Sequence, residues 1–323
     1  MGSFSISEAA FRLSLKDFKE AADRISNDVI TTPLLPFECA DRKLMLKAEC
    51  LQELGSFKIR AGANAIESAN KKDLSSGVVT ASAGNFGQGV AKAAQNRGLP
   101  VHVIVPDTAA KVKVNALLNL GAKVTTVSFS DWWEIMITRS AGVDGFFIHP
   151  VAELEVIIGN GGIGLEICFQ CPDVDVIVVP FGGGGMISGI ALAMKALGKS
   201  PLIVACEIET STPLKSAKSK GEPVNVERGK SWIDGIGSTS VLPDMWPLLD
   251  KLVDDVVVVS HSEAEAALRA LSAKAHLVAE GAGAVALAAA MKPKFSGKKV
   301  VAVISGGNID PKTYCKILDN SSS

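Results

Sequence analysis

Val176-Ile177-Val178-Val179-Pro180, then Phe181, four consecutive glycines Gly182-Gly183-Gly184-Gly185, and Met186-Ile187-Ser188-Gly189-Ile190-Ala191-Leu192-Ala193 form the stretch that decides the fold. A short apolar run, a glycine turn and a helical period read in that order as strand, loop and helix start. Such a junction gathers unbonded backbone N–H groups and the positive end of a helix dipole around one point, which suits a phosphate.

The same alternation extends in both directions. Upstream lie strand-like Gly77 to Ala81, helical Gly87 to Arg97, strand-like Val101 to Val105, helical Lys111 to Leu120 and strand-like Lys123 to Val127. A second series begins near Gly145 and continues through Val176 to Val179, helical Met186 to Ala196, strand-like Leu202 to Cys206 and strand-like Val300 to Ile304. Strands alternating with helices predict an α/β protein of parallel βαβ units. The length of 323 residues suits two such domains, with Gly142 to Gly145 as the expected hinge.

Two further stretches carry chemistry. Gly55-Ser56-Phe57-Lys58-Ile59-Arg60 sets one lysine among small and apolar neighbours where a helical run, Ile59 to Ala69, begins. Desolvation there disfavours the ammonium form and makes Lys58 a candidate Schiff-base nucleophile and base. Val300 to Ile304 ends at Ser305-Gly306-Gly307-Asn308, which delivers a hydroxyl to the carboxyl edge of the sheet, where open α/β folds bind ligands.

Ser56-Phe57-Lys58-Ile59-Arg60, Ser82-Ala83-Gly84-Asn85, Gly182 to Gly185 and Ser305-Gly306-Gly307-Asn308 occur in the order seen in the serine/threonine dehydratase and serine racemase family. The chain resembles that family over nearly its whole length. The resemblance implies the tryptophan synthase beta-like fold of fold-type II pyridoxal-phosphate enzymes. Residues 1–50, including strand-like Leu44 to Lys47, would then join 147–323 in a large cofactor-binding domain, with 51–146 as a small domain. It also implies that Lys58 bears the covalent link to pyridoxal phosphate, that Phe57 lies against the pyridine ring and that Asn85 bonds the phenolic oxygen. Gly182, Gly183, Gly184 and Gly185 would hold the phosphate with the Met186 N–H, and Ser305 would face the pyridine nitrogen. Ser82, Ala83, Gly84, Asn85 and Phe86 would bind the substrate carboxylate, and Glu280 would support the site.

The activity implied is that of a short threonine/serine dehydratase: loss of ammonia from L-threonine, L-serine or a related 3-hydroxy amino acid, leaving a 2-oxo acid. A cytoplasmic homodimer without the C-terminal regulatory domain of biosynthetic relatives is expected. Two departures from the family pattern bear on specificity. Serine racemases carry a second serine, the acid for the opposite face, where Ala83 stands, and many dehydratases carry histidine where Phe86 stands. The first argues against racemisation. The second leaves open a bulkier substrate such as phenylserine. A smaller departure is Ala61-Gly62 after Arg60, where the family has glycine directly. Glu207 lies where relatives place a carboxylate ligand for a cation, so a potassium-type site built with backbone carbonyls is expected there.

Three other classes stay open. A β-replacement enzyme of cysteine synthase type shares the fold, but its phosphate loop carries threonines that Gly182 to Gly185 lacks. A catalytically dead binding protein need not retain Lys58, Asn85 and Ser305 together. Gly159-Asn160-Gly161-Gly162-Ile163-Gly164 matches a dinucleotide fingerprint in letters only. No strand immediately precedes it and no acidic residue ends a strand about 20 residues later, so close helix packing is expected instead. Cys168-Phe169-Gln170-Cys171 has no second ligand pair at zinc spacing, and the six cysteines are scattered as reduced thiols are. His102, His149, His261 and His276 form no metal-binding motif. A net charge of −1 gives no electrostatic case for nucleic acid or an anionic membrane. Met1 to Ser5 lacks the charged-then-apolar order of a signal peptide, and no apolar run reaches the roughly 20 residues that span a bilayer. The expected ligand is a small amino acid. Ser321 to Ser323 is expected to fray.

Overall fold

The structure, a computed structural model, describes residues 5–319; the readings made on the first four residues and on Ser321 to Ser323 lie outside them. In chain order the elements are α1 (Ile6–Ala10), α2 (Leu15–Arg24), β1 (Leu34–Phe37), β2 (Lys43–Lys47), α3 (Lys58–Ser68), β3 (Val78–Thr80), α4 (Asn85–Gln95), β4 (Val101–Pro106), α5 (Lys111–Asn119) and β5 (Lys123–Val127). They continue with α6 (Phe129–Thr138), β6 (Phe146–Phe147), α7 (Leu154–Gln170), β7 (Val176–Pro180), α8 (Gly185–Ala196), β8 (Leu202–Ile208), α9 (Pro213–Lys220) and α10 (Trp246–Leu252). The last are β9 (Asp255–Val259), α11 (His261–Ala275), α12 (Gly281–Ala290), β10 (Lys299–Val303) and α13 (Pro311–Asp319).

Two sheets result. The larger runs β1-β2-β10-β7-β8-β9, and the smaller β5-β4-β3-β6. Every pairing is parallel except β1 with β2, an antiparallel edge that the alternation did not announce. In β7, Val176 and Val178 face one hydrophobic cluster while Ile177 and Val179 face another. Helices cover both faces, so an interior parallel strand is apolar at every position. Val300 and Ala302 against Val301 and Val303 divide β10 in the same way.

Phe147 pairs with Val79 of the small sheet, so the expected division between residues 146 and 147 falls inside β6. Gly142 and Gly145 lead into that strand, and both have positive φ. The literal dinucleotide fingerprint sits in the interior of α7. A Cβ at Gly159 would lie 2.6 Å from the Arg60 carbonyl oxygen, at Gly161 2.3 Å from the Phe18 ring, and at Gly164 2.9 Å from the Ile190 carbonyl oxygen. Its glycines let α3, α2 and α8 pack against α7.

Candidate active site

Three chain segments meet at the carboxyl edge of the large sheet. Beyond β10, the Ser305 carbonyl accepts from the Phe57 N–H at 3.1 Å and the Gly307 N–H donates to the Gly55 carbonyl at 2.8 Å. The Gly306 carbonyl accepts from the Glu280 N–H at 2.9 Å. This backbone ladder ties the start of α3, the end of β10 and the start of α12 together. Lys58 is the first residue of α3 and is partly buried. Its Nζ lies 4.8 Å from the centroid of the Phe57 ring and 5.8 Å from that of Phe86. Burial between these rings pulls the amine down to about 8, against the opposing pull of the Glu280 carboxylate.

Glu280 is buried, and burial pushes its carboxyl up to about 7 despite the hydrogen bonds it receives. Both of its oxygens accept from Asn85 Nδ2, at 3.1 and 3.0 Å. Asn85 Oδ1 in turn accepts from Asn308 Nδ2 at 2.9 Å, and that amide also donates to the Leu54 carbonyl at 2.8 Å. The Asn85 side chain is thereby fixed between α4 and the two segments that flank Lys58. Ser305 is buried, and its hydroxyl has no hydrogen-bond partner among the described residues.

The glycine loop fits a phosphate by its backbone. The N–H groups of Gly182 to Ile187 donate to no acceptor among the described residues, and Ser188 N–H returns to the Gly184 carbonyl at 3.0 Å to start α8. Gly184 has φ +96, and a Cβ at Gly183 would lie 2.4 Å from the Val151 side chain. Side chains are thus excluded from the side of the loop that faces Val151. His149 builds the opposing turn: its Nδ1 accepts from the Val151 and Ala152 N–H groups at 3.1 and 2.8 Å, and burial pulls its pKa down to about 4. Ser82 to Phe86 form the other anion-seeking edge. Gly84 N–H donates to Ser82 Oγ at 3.4 Å, while the N–H groups of Ala83, Asn85, Phe86 and Gly87 have no acceptor among the described residues.

A family model described as "Pyridoxal-phosphate dependent enzyme" matches residues 25–306. The chain belongs to that family. It is 38% identical to an L-threonine ammonia-lyase of Thermotoga maritima over 95% of this chain and 78% of the relative. It is 36% identical to serine racemase of Mus musculus over 94% of this chain and 93% of the relative. Among solved structures, maize serine racemase superposes with a TM-score of 0.86 at 31% identity, covering 95% of this chain and 97% of that one. The family's fold is thus also the fold observed here.

For a pyridoxal-phosphate enzyme the residues present fit the cofactor. Gly182 to Ile187 offer a run of unbonded donors for its phosphate, and Lys58 an amine with a lowered pKa for its aldehyde. The structure brings Phe57, Lys58, Asn85, Phe86 and Ser305 into one neighbourhood through the contacts above. Glu207 stands apart from them: its carboxylate accepts from the Leu214 and Lys215 N–H groups at 2.7 and 3.0 Å and so caps α9. Among the described residues no group of three or more His, Cys, Asp or Glu could hold a metal ion. In sequence Asn308 stood only as the end of its motif and His149 only as one of four histidines without a metal-binding pattern, and Val151 was not named.

A buried ion cluster lies behind Lys58. Arg60 binds Glu49 through two nitrogens, at 2.8 and 2.9 Å, and Glu166 at 2.7 Å; Lys47 joins Glu166 at 2.5 Å. Two cations and two carboxylates balance, and Glu49 is held ionised by Arg60 although burial opposes it.

Proposed function

We propose that this chain is a dehydratase that converts L-threonine to 2-oxobutanoate and ammonia, or L-serine to pyruvate and ammonia. The carrying observation is Ala83: the loop that would seat the substrate carboxylate supplies the Ser82 hydroxyl but no second hydroxyl beside it. Bound pyridoxal phosphate would supply the sink for the electron pair left when the α-proton departs. The remaining work falls to the chain. The Ser82 hydroxyl and the free amides at the start of α4 orient the carboxylate. Lys58, neutral in a large fraction at pH 8, takes the α-proton. Asn85, held by Glu280 and Asn308, would help to hold the cofactor ring at its phenolic oxygen, and Ser305 would face the ring nitrogen. Because a hydroxyl holds a proton there less firmly than a carboxylate, prompt loss of the β-hydroxyl group is favoured.

Phe86 supports an apolar wall, which extends the substrate class to bulkier 3-hydroxy amino acids such as phenylserine. Serine racemisation is the second reading, favoured by the mouse relative that spans nearly the whole chain. The test is a panel of L- and D-3-hydroxy amino acids, scored for 2-oxo acid release and for inversion at Cα. Elimination from L-threonine or L-serine well above racemisation is expected, and Ala83→Ser should raise racemisation relative to elimination. Wild-type racemisation as fast as deamination would overturn the reading.

A further inference from the structure

Outside this site, three polar side chains from three segments meet at the carboxyl ends of β8 and β9. Glu209 follows β8, His261 opens α11 just after β9, and Ser231 lies in the loop that precedes α10. Ser231 Oγ is 2.8 Å from His261 Nε2, and His261 Nδ1 is 3.2 Å from Glu209 Oε1. The same Glu209 oxygen accepts the His261 backbone N–H at 2.8 Å. A carboxylate only accepts, so the ring proton sits on Nδ1, Nε2 is the acceptor, and the Ser231 hydroxyl donates to it. Nucleophile, base and orienting carboxylate thus stand in the serine hydrolase relation. The His261 side chain is 24% exposed, so a small reagent can reach it. The backbone N–H groups of Ser231 and Trp232 have no acceptor among the described residues, and Ser231 Oγ, besides donating to His261, accepts the Ile233 N–H at 3.0 Å. In a parallel sheet this edge is where ligands bind.

We propose that Ser231, His261 and Glu209 form a second nucleophilic site, at which Ser231 is acylated by small activated carboxylic esters. Ser231 Oγ attacks the ester carbonyl while its proton passes to His261 Nε2. The bond to the leaving alcohol breaks and that alcohol takes the proton. Water, deprotonated by His261, then cleaves the acyl–Oγ bond and releases the carboxylic acid.

The test uses holoenzyme treated with borohydride, so that Lys58 is capped, and p-nitrophenyl acetate as the probe. Peptide mass spectrometry should find acetyl on Ser231 and none there in Ser231→Ala. His261→Ala should slow labelling of Ser231 by about 100-fold or more, the usual worth of a positioned general base. His261→Gln, polar and of similar reach but without a base, replaces the alanine variant if that does not fold. If wild-type Ser231 remains unlabelled, or its labelling rate is the same in the His261 variants, the proposal is wrong. A lower melting temperature of those variants without loss of labelling would mark the three residues as a clasp for the loop.

Discussion

The lysine at the head of α3 owes its reactivity to burial between two aromatic rings. An amine near 8 in place of the ordinary 10.5 has a pH dependence that can be read directly. In apoprotein, covalent attachment of pyridoxal phosphate at Lys58 should rise with pH and level off above about 8, followed by visible absorbance. The Glu280 carboxylate raises this pKa, so Glu280→Gln should shift the midpoint downward. An unmoved midpoint would mean that the Asn85 pair shields that charge completely. Lys58→Ala should abolish turnover and the borohydride-stable adduct while leaving cofactor able to bind through its phosphate. An adduct on another lysine would displace Lys58 from its role. Lys58 was legible in sequence because one lysine among small and apolar neighbours at a helix start is unusual. Glu280 was legible only as a supporting group, because its contact with Asn85 spans 195 residues of sequence separation.

At the scale of elements, α3 is gripped from two sides. On one side α4 approaches so closely that a Cβ at Gly89 would lie 2.8 Å from the Lys58 carbonyl carbon and oxygen. On the other, Arg60 fixes α3 to Glu49 and to Glu166 of α7. A buried ion cluster repays its desolvation poorly, so its value lies in fixing one register. Arg60→Met should cost about 3–5 kcal/mol of unfolding free energy, as removal of one partner of a buried pair does. Arg60→Lys keeps the charge but not the fork, and should lower kcat with little change in KM, because the substrate loop at Ser82 is untouched. A wild-type kcat in a folded Arg60→Lys protein would refute that positioning role. None of these pairings was visible in sequence, where Glu49, Arg60 and Glu166 stand in three unrelated segments. The helices and strands around them were, to within a few residues. The strands missed were β1, whose antiparallel pairing no periodicity marks, and β9, a run of valines behind an aspartate; the helices α1, α6, α9, α10, α11 and α13 were not read from sequence either.

At the scale of the molecule, two buried carboxyls titrate near neutrality. Glu207 and Glu280 are each raised from 4.5 to about 7 by burial. An acid whose folded pKa is raised stabilises the fold fully below its unfolded value, and that contribution is lost as pH climbs through the folded value. Glu207→Gln should therefore melt close to wild type at pH 4 and above it at pH 8, because the variant has no buried charge to create. The same melting difference at both pH values would show that the two backbone donors of α9 already satisfy the carboxylate.

The order of strands in the large sheet has a consequence for how the protein is made. β10, the last of the described strands in sequence, is wedged between β2 and β7 near the sheet's middle, and Phe57 hangs from the residue that follows Ile304. A nascent chain that has not yet emerged past residue 305 leaves a slot in the sheet, and the lysine segment has nothing to dock against. Vectorial synthesis can shape the four-stranded sheet early, but the cofactor cradle closes only after release of this late strand. Until then the open edges of β2 and β7 stay exposed to wrong partners, which is where a ribosome-associated chaperone is most needed.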